Sequence, residues 1–324
     1  MVSVPISLIA DDLTGACDAG VQFAQRGFST LVWLDPEPRQ PADVTVISTN
    51  SRNDSPETAR RKVAEACRIL GHVVFKKIDS TLYGNIAPEI EAALDACGFR
   101  EAYLAPAFPA QGRTVRDGWL HVAGSNRRVH LEALLGGHRR IRCFDAVTQE
   151  DLARVARLAL ETAPPPLLVG SAGLAIEVAA LLAKMGTDTI SGGTEPTHQE
   201  ELARRQKWLS VPIFGAVLFV IGSTNPITVA QVDYLMARHP EARVITVAGL
   251  LDRPPARALV LSGGDTALEA CRALGVTGIR LEREVLPGIP RGVLIGGPFE
   301  GLTVVTKGGG FGAADALAAI LEAV

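Results

Sequence analysis

Short apolar runs alternate with amphipathic stretches along most of this chain, the rhythm of a parallel sheet with helices packed on its faces. Residues 4–10 predict a buried strand, and helical spacing follows over 15–26, with Gly27 placed to stop it. Further strand-like runs cover residues 30–34, 44–48, 73–77, 102–106 and 167–170. The helix after Ser55 has a serine cap and Pro56 at its first position, and it stops before Gly71; another starts near Pro88 and ends at Gly98. Thr148, with Asp151 three residues on, caps a helix reaching Thr162, and one more helix after Ser171 runs to Lys184. Residues 113–122 break the rhythm, since Asp117-Gly118 between two apolar segments predicts a hairpin.

Residues 185–196 lapse into Gly, Thr, Ser, Asp and Pro, the composition of a linker. Two domains are expected, 1–190 and 191–324. A bridging helix over 199–209 precedes a second series with strands at 216–221, 244–247, 258–261, 293–295 and 303–307. The predicted fold class is therefore α/β, with each domain built on a mainly parallel sheet flanked by helices. No short fixed repeat is visible, which argues against a solenoid.

A chain of 324 residues, 47% of them hydrophobic, can fill a core in each domain. The net charge of -3 is spread without a basic face, so no nucleic-acid partner is expected. No apolar run is long enough to cross a bilayer and the N-terminus lacks the pattern of a signal peptide; a cytoplasmic protein acting on a small molecule is expected, with no membrane partner. Five scattered cysteines without a C-x-x-C pair, and six dispersed histidines, suggest neither a disulfide framework nor a zinc site.

The candidate chemistry lies where strands end. Asp11 and Asp12 follow the first strand, at the sheet edge where open α/β folds bind ligands, and suit magnesium coordination, hydroxyl recognition or proton abstraction. The plainer reading, that one of them caps the helix, explains one acid but not both. Lys76-Lys77-Ile78-Asp79-Ser80-Thr81 gathers two cations, an acid and two hydroxyls, a composition that suits a small polyhydroxylated anion. Arg52 offers a two-pronged carboxylate clamp, although a solvated arginine is the default. In the second half, Gly222-Ser223-Thr224-Asn225, Gly263-Gly264-Asp265-Thr266 and Gly308-Gly309-Gly310-Phe311-Gly312 each follow an apolar strand. One such turn is often mere geometry, but three together predict a phosphate-binding nucleotide site. Gly308, Gly310 and Ala313 fit G-x-G-x-x-A, yet the chain has no second strand ~20 residues on to carry the ribose-binding acid of a dinucleotide fold. The Gly-Lys-Ser/Thr ending of a P-loop is also missing.

With these residues in view, the chain resembles the four-carbon acid sugar kinase family. IADDLTGACDAG, Asn50-Ser51-Arg52, KKIDSTLYGN, PAFPAQGRTVRDG, GSTNPITVAQ, SGGDTA and TKGGGFGAADAL are similar to family motifs in family order. The resemblance implies an N-terminal domain for the acid sugar and a C-terminal domain for the nucleotide. It implies transfer of the terminal phosphoryl group of ATP, with Mg²⁺, to a hydroxyl of threonate, erythronate or 3-oxo-tetronate. Asp11, Arg52, Lys77, Asp79, Ser80 and Thr81 would contact the sugar acid, with Asp12 beside them; Ser223, the turn of Gly263, Gly264, Asp265 and Thr266, and the glycines Gly308, Gly309 and Gly310 would contact ATP. Asp11 or Asp79 would be the catalytic base. A homo-oligomer is compatible with this reading. The chain departs from the family at Tyr83, which stands where Asp-Ser-Thr-Leu-Arg-Gly has arginine, and in shortened segments at 124–131 and 231–262. Two alternatives remain: a catalytically weak relative that binds nucleotide or sugar acid, and a kinase with another acceptor, since Gly-Gly-Asp-Thr is similar to the phosphate turn of diacylglycerol and NAD kinases.

Overall fold

The computed structural model describes residues 6–70, 74–187, 215–250 and 256–324. The first residues of the expected strands at 4–10 and 73–77, most of the linker-like stretch and the expected bridging helix at 199–209 lie outside the described residues. The chain divides into two compact units, Met1–Leu181 and Leu182–Val324.

The first unit runs β1 (Ile6–Ala10), α1 (Leu13–Ala24), β2 (Thr30–Trp33), β3 (Val44–Ser48), α2 (Pro56–Leu70), β4 (Phe75–Lys77), α3 (Ile86–Cys97), β5 (Ala102–Ala105), β6 (Arg113–Arg116), β7 (Trp119–Val122), β8 (Arg128–His130), α4 (Leu131–Leu134), β9 (Ile141–Cys143), α5 (Gln149–Glu161) and β10 (Leu167–Gly170), with α6 (Ala172–Thr187) following. Its main sheet is parallel, in the order β2-β3-β1-β4-β10-β5-β9. The predicted hairpin is present as β6 and β7, and β8 extends it into a separate three-stranded antiparallel sheet. β8 and β9 escaped the sequence reading because each is three residues long and carries arginine, so neither leaves an apolar run.

Every residue of α1 from Leu13 to Phe23 is buried. A helix can be enclosed on all sides when it is rich in small and apolar residues, and Gly15, Ala16, Cys17, Ala19 and Gly20 supply that surface. Asp12 is its N-cap and accepts a hydrogen bond from the Gly15 amide. The expected cap on α5 is a complete capping box, Thr148 and Asp151 bonding each other's backbone.

The second unit runs β11 (Ala216–Ile221), α7 (Pro226–Arg238), β12 (Arg243–Ile245), α8 (Val247–Leu250), β13 (Ala256–Ser262), α9 (Gly264–Ala273), β14 (Gly278–Leu286), β15 (Ile289–Ile295), β16 (Thr303–Lys307) and α10 (Ala316–Ala323). Strands β12-β11-β13-β16 are parallel, and β15 and β14 continue the sheet antiparallel. Phe219, Val260, Val305, Leu317 and Ile320 anchor its core. Two expectations change here. The run at 244–247 is a short strand followed by a helical turn, and the run at 293–295 is the end of a long hairpin strand. Glu282, Arg283 and Glu284 on the partner strand are charged residues of a half-exposed ribbon, and they hid its period-two pattern. Among the described residues no helix is long and apolar enough to cross a membrane.

Candidate functional site

In the first unit three neighbouring strands end together: Ala10 of β1 pairs with Ser48 of β3 on one side and Lys77 of β4 on the other. Chain order reverses beside β1, because β2 and β3 lie to one side and β4 to the other. That is where open parallel sheets leave a crevice for ligands. The loops leaving these ends carry Asp11 and Asp12, Arg52, and Asp79 to Thr81.

Arg52 is the hub. Its Nε donates to Asp11 Oδ2 at 2.8 Å and its Nη2 to Asp11 Oδ1 at 2.9 Å and Asp12 Oδ1 at 2.7 Å, while Nη1 stands 3.7 Å from Asp79 Oδ2. The Asp11 backbone carbonyl accepts the amides of Ser51 and Arg52, so the turn carrying the arginine is tied to the acid it holds. Burial would push the Asp11 carboxyl up, but the charge and hydrogen bonds of Arg52, with Lys76 and Lys77 nearby, outweigh it and hold Asp11 down to about 2. Burial likewise works against the Arg52 charge, and Asp12, Asp11 and Asp79 raise its pKa well above the usual guanidinium value.

Asp12 plays the plainer role as well, accepting from Gly15 N at 2.9 Å and Thr14 Oγ1 at 2.7 Å. A Cβ on Gly15 would lie 2.4 Å from Asp12 Oδ1 and 3.0 Å from Lys77 Nζ, so a side chain there is incompatible with this close approach. Lys77 is buried, and its Nζ donates to the Ile78 carbonyl at 3.0 Å. Asp79 accepts from the Thr81 amide at 2.7 Å and from the Thr81 hydroxyl, all at Oδ1. Ser80 is buried and Thr81 half-buried in the same loop.

One expectation is corrected. Lys76 and Lys77 both help hold Asp11 ionised but do not present two cations to one ligand, because successive strand residues point to opposite faces. Lys76 is fully buried against Glu89, Nζ to Oε2 at 2.7 Å, and Glu89 accepts the Ser51 hydroxyl at 2.6 Å. Arg113 and Asp18 are additions: burial lowers the Arg113 pKa, and Asp79 and Asp18 lie close enough to raise it in part. Both sit inside the motifs PAFPAQGRTVRDG and IADDLTGACDAG; Arg113, with Arg116 and Arg127, is a cation the sequence offers in place of the arginine missing at Tyr83, whereas nothing in its spacing singles out Asp18. Tyr83 is 56% exposed, and Arg127 Nε donates to the Thr81 carbonyl at 3.1 Å.

In the second unit the three glycine turns leave adjacent parallel strands, since Ser262 of β13 pairs with Ile221 of β11 and Lys307 of β16. A Cβ on Gly222 would fall 2.5 Å from Thr266 Oγ1, and one on Gly309 would fall 2.7 Å from Ser223 Oγ. Ser223, Thr266 and Gly309 therefore meet. Gly263 bonds the Lys307 carbonyl through its amide, and Gly264 and Asp265 open α9. Thr228 Oγ1 donates to the Gly309 carbonyl at 2.7 Å.

Lys307, which the sequence reading passed over, is fully buried and ties this loop back. Its Nζ donates to the carbonyls of Gly308 at 2.9 Å, Gly309 at 3.2 Å and Phe311 at 3.1 Å. Burial pushes its pKa down to about 8. From the other side Gln231 Nε2 donates to the carbonyls of Phe311, Gly312 and Ala313. A lysine directly before three glycines at a strand end was the available signal.

These turns fit a nucleotide phosphate chain, because close backbone approach and a helix start are what phosphate oxygens require. Among the described residues no group of three or more His, Cys, Asp or Glu side chains could hold a metal ion. Magnesium bound largely by phosphate oxygens and water needs no such cage, and Asp265 is the acid among the turns that could join it.

Residues 6–131 match the family model of a sugar-binding N-terminal domain, and residues 240–317 match that of a nucleotide-binding C-terminal domain. The chain is 32% identical to a D-threonate kinase of Bordetella bronchiseptica, over 98% of this chain and 97% of the relative. It is 28% identical to a D-erythronate kinase of Heliobacterium modesticaldum over 96% and 95%, and 24% identical to a 3-oxo-tetronate kinase of Methylobacterium radiotolerans over 97% and 98%. The alignment with the threonate kinase runs to 399 positions against 324 residues here, so that relative carries segments this chain lacks. A solved structure from Salmonella typhimurium LT2, described as a putative tRNA synthase, superposes with a TM-score of 0.73 at 20% identity over 98% of both chains, which shows the shared fold. A Bordetella bronchiseptica structure with bound citrate, a domain-swapped dimer, gives 0.51 at 26% identity over 98% of both chains. The chain is a carbohydrate kinase and belongs to the four-carbon acid sugar kinase family.

Proposed function

We propose that this kinase transfers the terminal phosphoryl group of ATP to a hydroxyl of a four-carbon acid sugar of the threonate, erythronate or 3-oxo-tetronate type. The first domain, residues 1–190, holds the acceptor, and the second, 191–324, holds the nucleotide. The observation that carries this reading is the convergence of Arg52, Lys77 and Asp79, with Ser80 and Thr81, on loops leaving neighbouring strand ends. Lysine neutralises negative charge beside the reacting hydroxyl, and hydroxyl and carboxylate groups orient a polyol.

Asp79 is the group we assign to the acceptor hydroxyl. Asp11 is gripped by Arg52 and held near 2, which makes it a poor proton acceptor; its role is to fix the guanidinium. Asp12 joins it while capping α1. Lys77 spends one of its three donors on the Ile78 carbonyl and directs its charge at the acceptor. In the second domain Ser223, Gly263, Gly264, Asp265, Thr266 and Gly308 to Gly310 cradle the phosphates, and loop carbonyls drawn back by Lys307 and Gln231 leave amides to face them. Magnesium, when bound, would neutralise charge on the transferred group. The citrate in the Bordetella relative, itself a hydroxylated carboxylic acid, supports an acceptor of this class, and its domain-swapped dimer supports a homo-oligomer.

A coupled assay of ADP release across four-carbon sugar acids tests the proposal. ADP formation with a tetronate is expected; ATP binding without release on any of them would favour the weak relative.

A further inference from the structure

The small antiparallel sheet carries an open cavity of about 420 Å³ that no part of the reading above uses. Gly112, His121, Ser125, Asn126, Arg127 and Arg128 line it, and no carboxylate does among the described residues. With Thr114 also lining it, its polar wall is two guanidiniums, an imidazole, an amide and two hydroxyls, a set rich in donors and able to take an anion. The volume falls in the range of small-molecule sites, roughly 300–1,000 Å³.

Two contacts fix these cations. The Arg128 guanidinium lies 5.2 Å from the centre of the Trp119 ring, which holds its stem against β7. Arg127 donates through Nε to the Thr81 carbonyl, and Thr81 in turn donates through its amide and hydroxyl to Asp79. The cavity is therefore coupled by consecutive hydrogen bonds to the carboxylate assigned to the acceptor hydroxyl. Gly112 and Thr114, which line it, flank Arg113, whose charge senses Asp79 and Asp18.

We propose that this cavity is the subsite for the carboxylate end of the acceptor, with Arg127 and Arg128 as the residues that select an acid over a neutral polyol. The inference rests on the acceptor reading above and adds where the acid group is held. The geometry favours Arg127 for direct contact, because the bond from its Nε to the Thr81 carbonyl anchors the side chain and leaves the terminal nitrogens as the donors a carboxylate can take.

The test uses the full chain and its Arg127→Gln and Arg128→Gln variants, with KM measured for threonate, for erythronate, for the uncharged amide of threonate, and for ATP. Arg127 is exposed, so the variant should melt like the parent. Arg127→Gln should raise the threonate KM by ten- to a hundredfold, leave the ATP KM within twofold, and cut the preference for acid over amide at least tenfold. Arg128→Gln should shift the same preference in the same direction. If the parent turns over tetronates while both variants keep its acid preference, the carboxylate is held elsewhere and the subsite is refuted, with the kinase reading intact. Equal weakening of acid and amide would also refute it, as a loss of packing. If the parent turns over no tetronate, the acceptor reading fails and the subsite falls with it.

Discussion

Arg52 grips Asp11 with two parallel hydrogen bonds, 2.8 Å and 2.9 Å, and uses the second of these nitrogens again for Asp12 at 2.7 Å. A buried carboxylate pair around a single guanidinium stands only while the guanidinium is present. Arg52→Leu leaves two buried acids without their cation and should destabilise the first domain by about 3–5 kcal/mol, read as a lower denaturant midpoint. Arg52→Lys should recover part of this stability but not the fork geometry.

The same pair sets a pH dependence. The folded Asp11 titrates at about 2, below its ordinary 3.8, so the unfolded chain binds the extra proton between those values. The stability from this group is complete above pH 4 and is lost as pH falls through 2. It amounts to about 2 kcal/mol. Asp11→Asn should flatten this acid limb in pH-dependent unfolding.

Asp79→Asn should separate catalysis from folding. An asparagine oxygen can still accept from the Thr81 amide and hydroxyl, so the turn and the melting temperature should survive. The lost carboxylate should lower kcat by roughly 10²–10⁴. A kcat within threefold of the parent would return the role of base to another group.

Gly309→Ala and Gly222→Ala place a methyl group against Ser223 Oγ and Thr266 Oγ1, at 2.7 Å and 2.5 Å before any relaxation. Overpacking of this kind costs about 1–3 kcal/mol. Calorimetry should find ATP binding weakened by a comparable amount, with acceptor binding unchanged.

Lys307 gives an alkaline signature. Its folded pKa of about 8 lies below the ordinary 10.5, so its stability contribution is complete above 10.5 and falls as pH drops through 8. The ammonium is nonetheless what ties the glycine loop, and that tie weakens as the proton leaves. ATP affinity should decline above pH 8 in the parent. Lys307→Met should bind ATP more weakly throughout, without the step near pH 8.

The βα rhythm, both helix caps and the hairpin at Asp117-Gly118 were legible because hydrophobic period, capping chemistry and turn residues act over a few neighbours. The glycine turns and the acids after β1 were legible because strand ends are where such folds bind ligands. Strands with charged residues on a half-exposed face, such as Gly278–Leu286, were not, since their partners lie outside the window that reveals a pattern.

The sequence by itself thus determined the α/β class, the loops that bear the chemistry and the residue types available there. Only the tertiary structure decided which of those groups act together. Strand alternation sent Lys76 to Glu89 and kept Lys77 near Gly15, and strand order brought Arg52 to Asp11 across 41 positions of the chain. Lys307 was turned onto its own loop rather than outward. Which partner a charge finds depends on the burial and geometry of residues remote in sequence, and no local pattern encodes that choice.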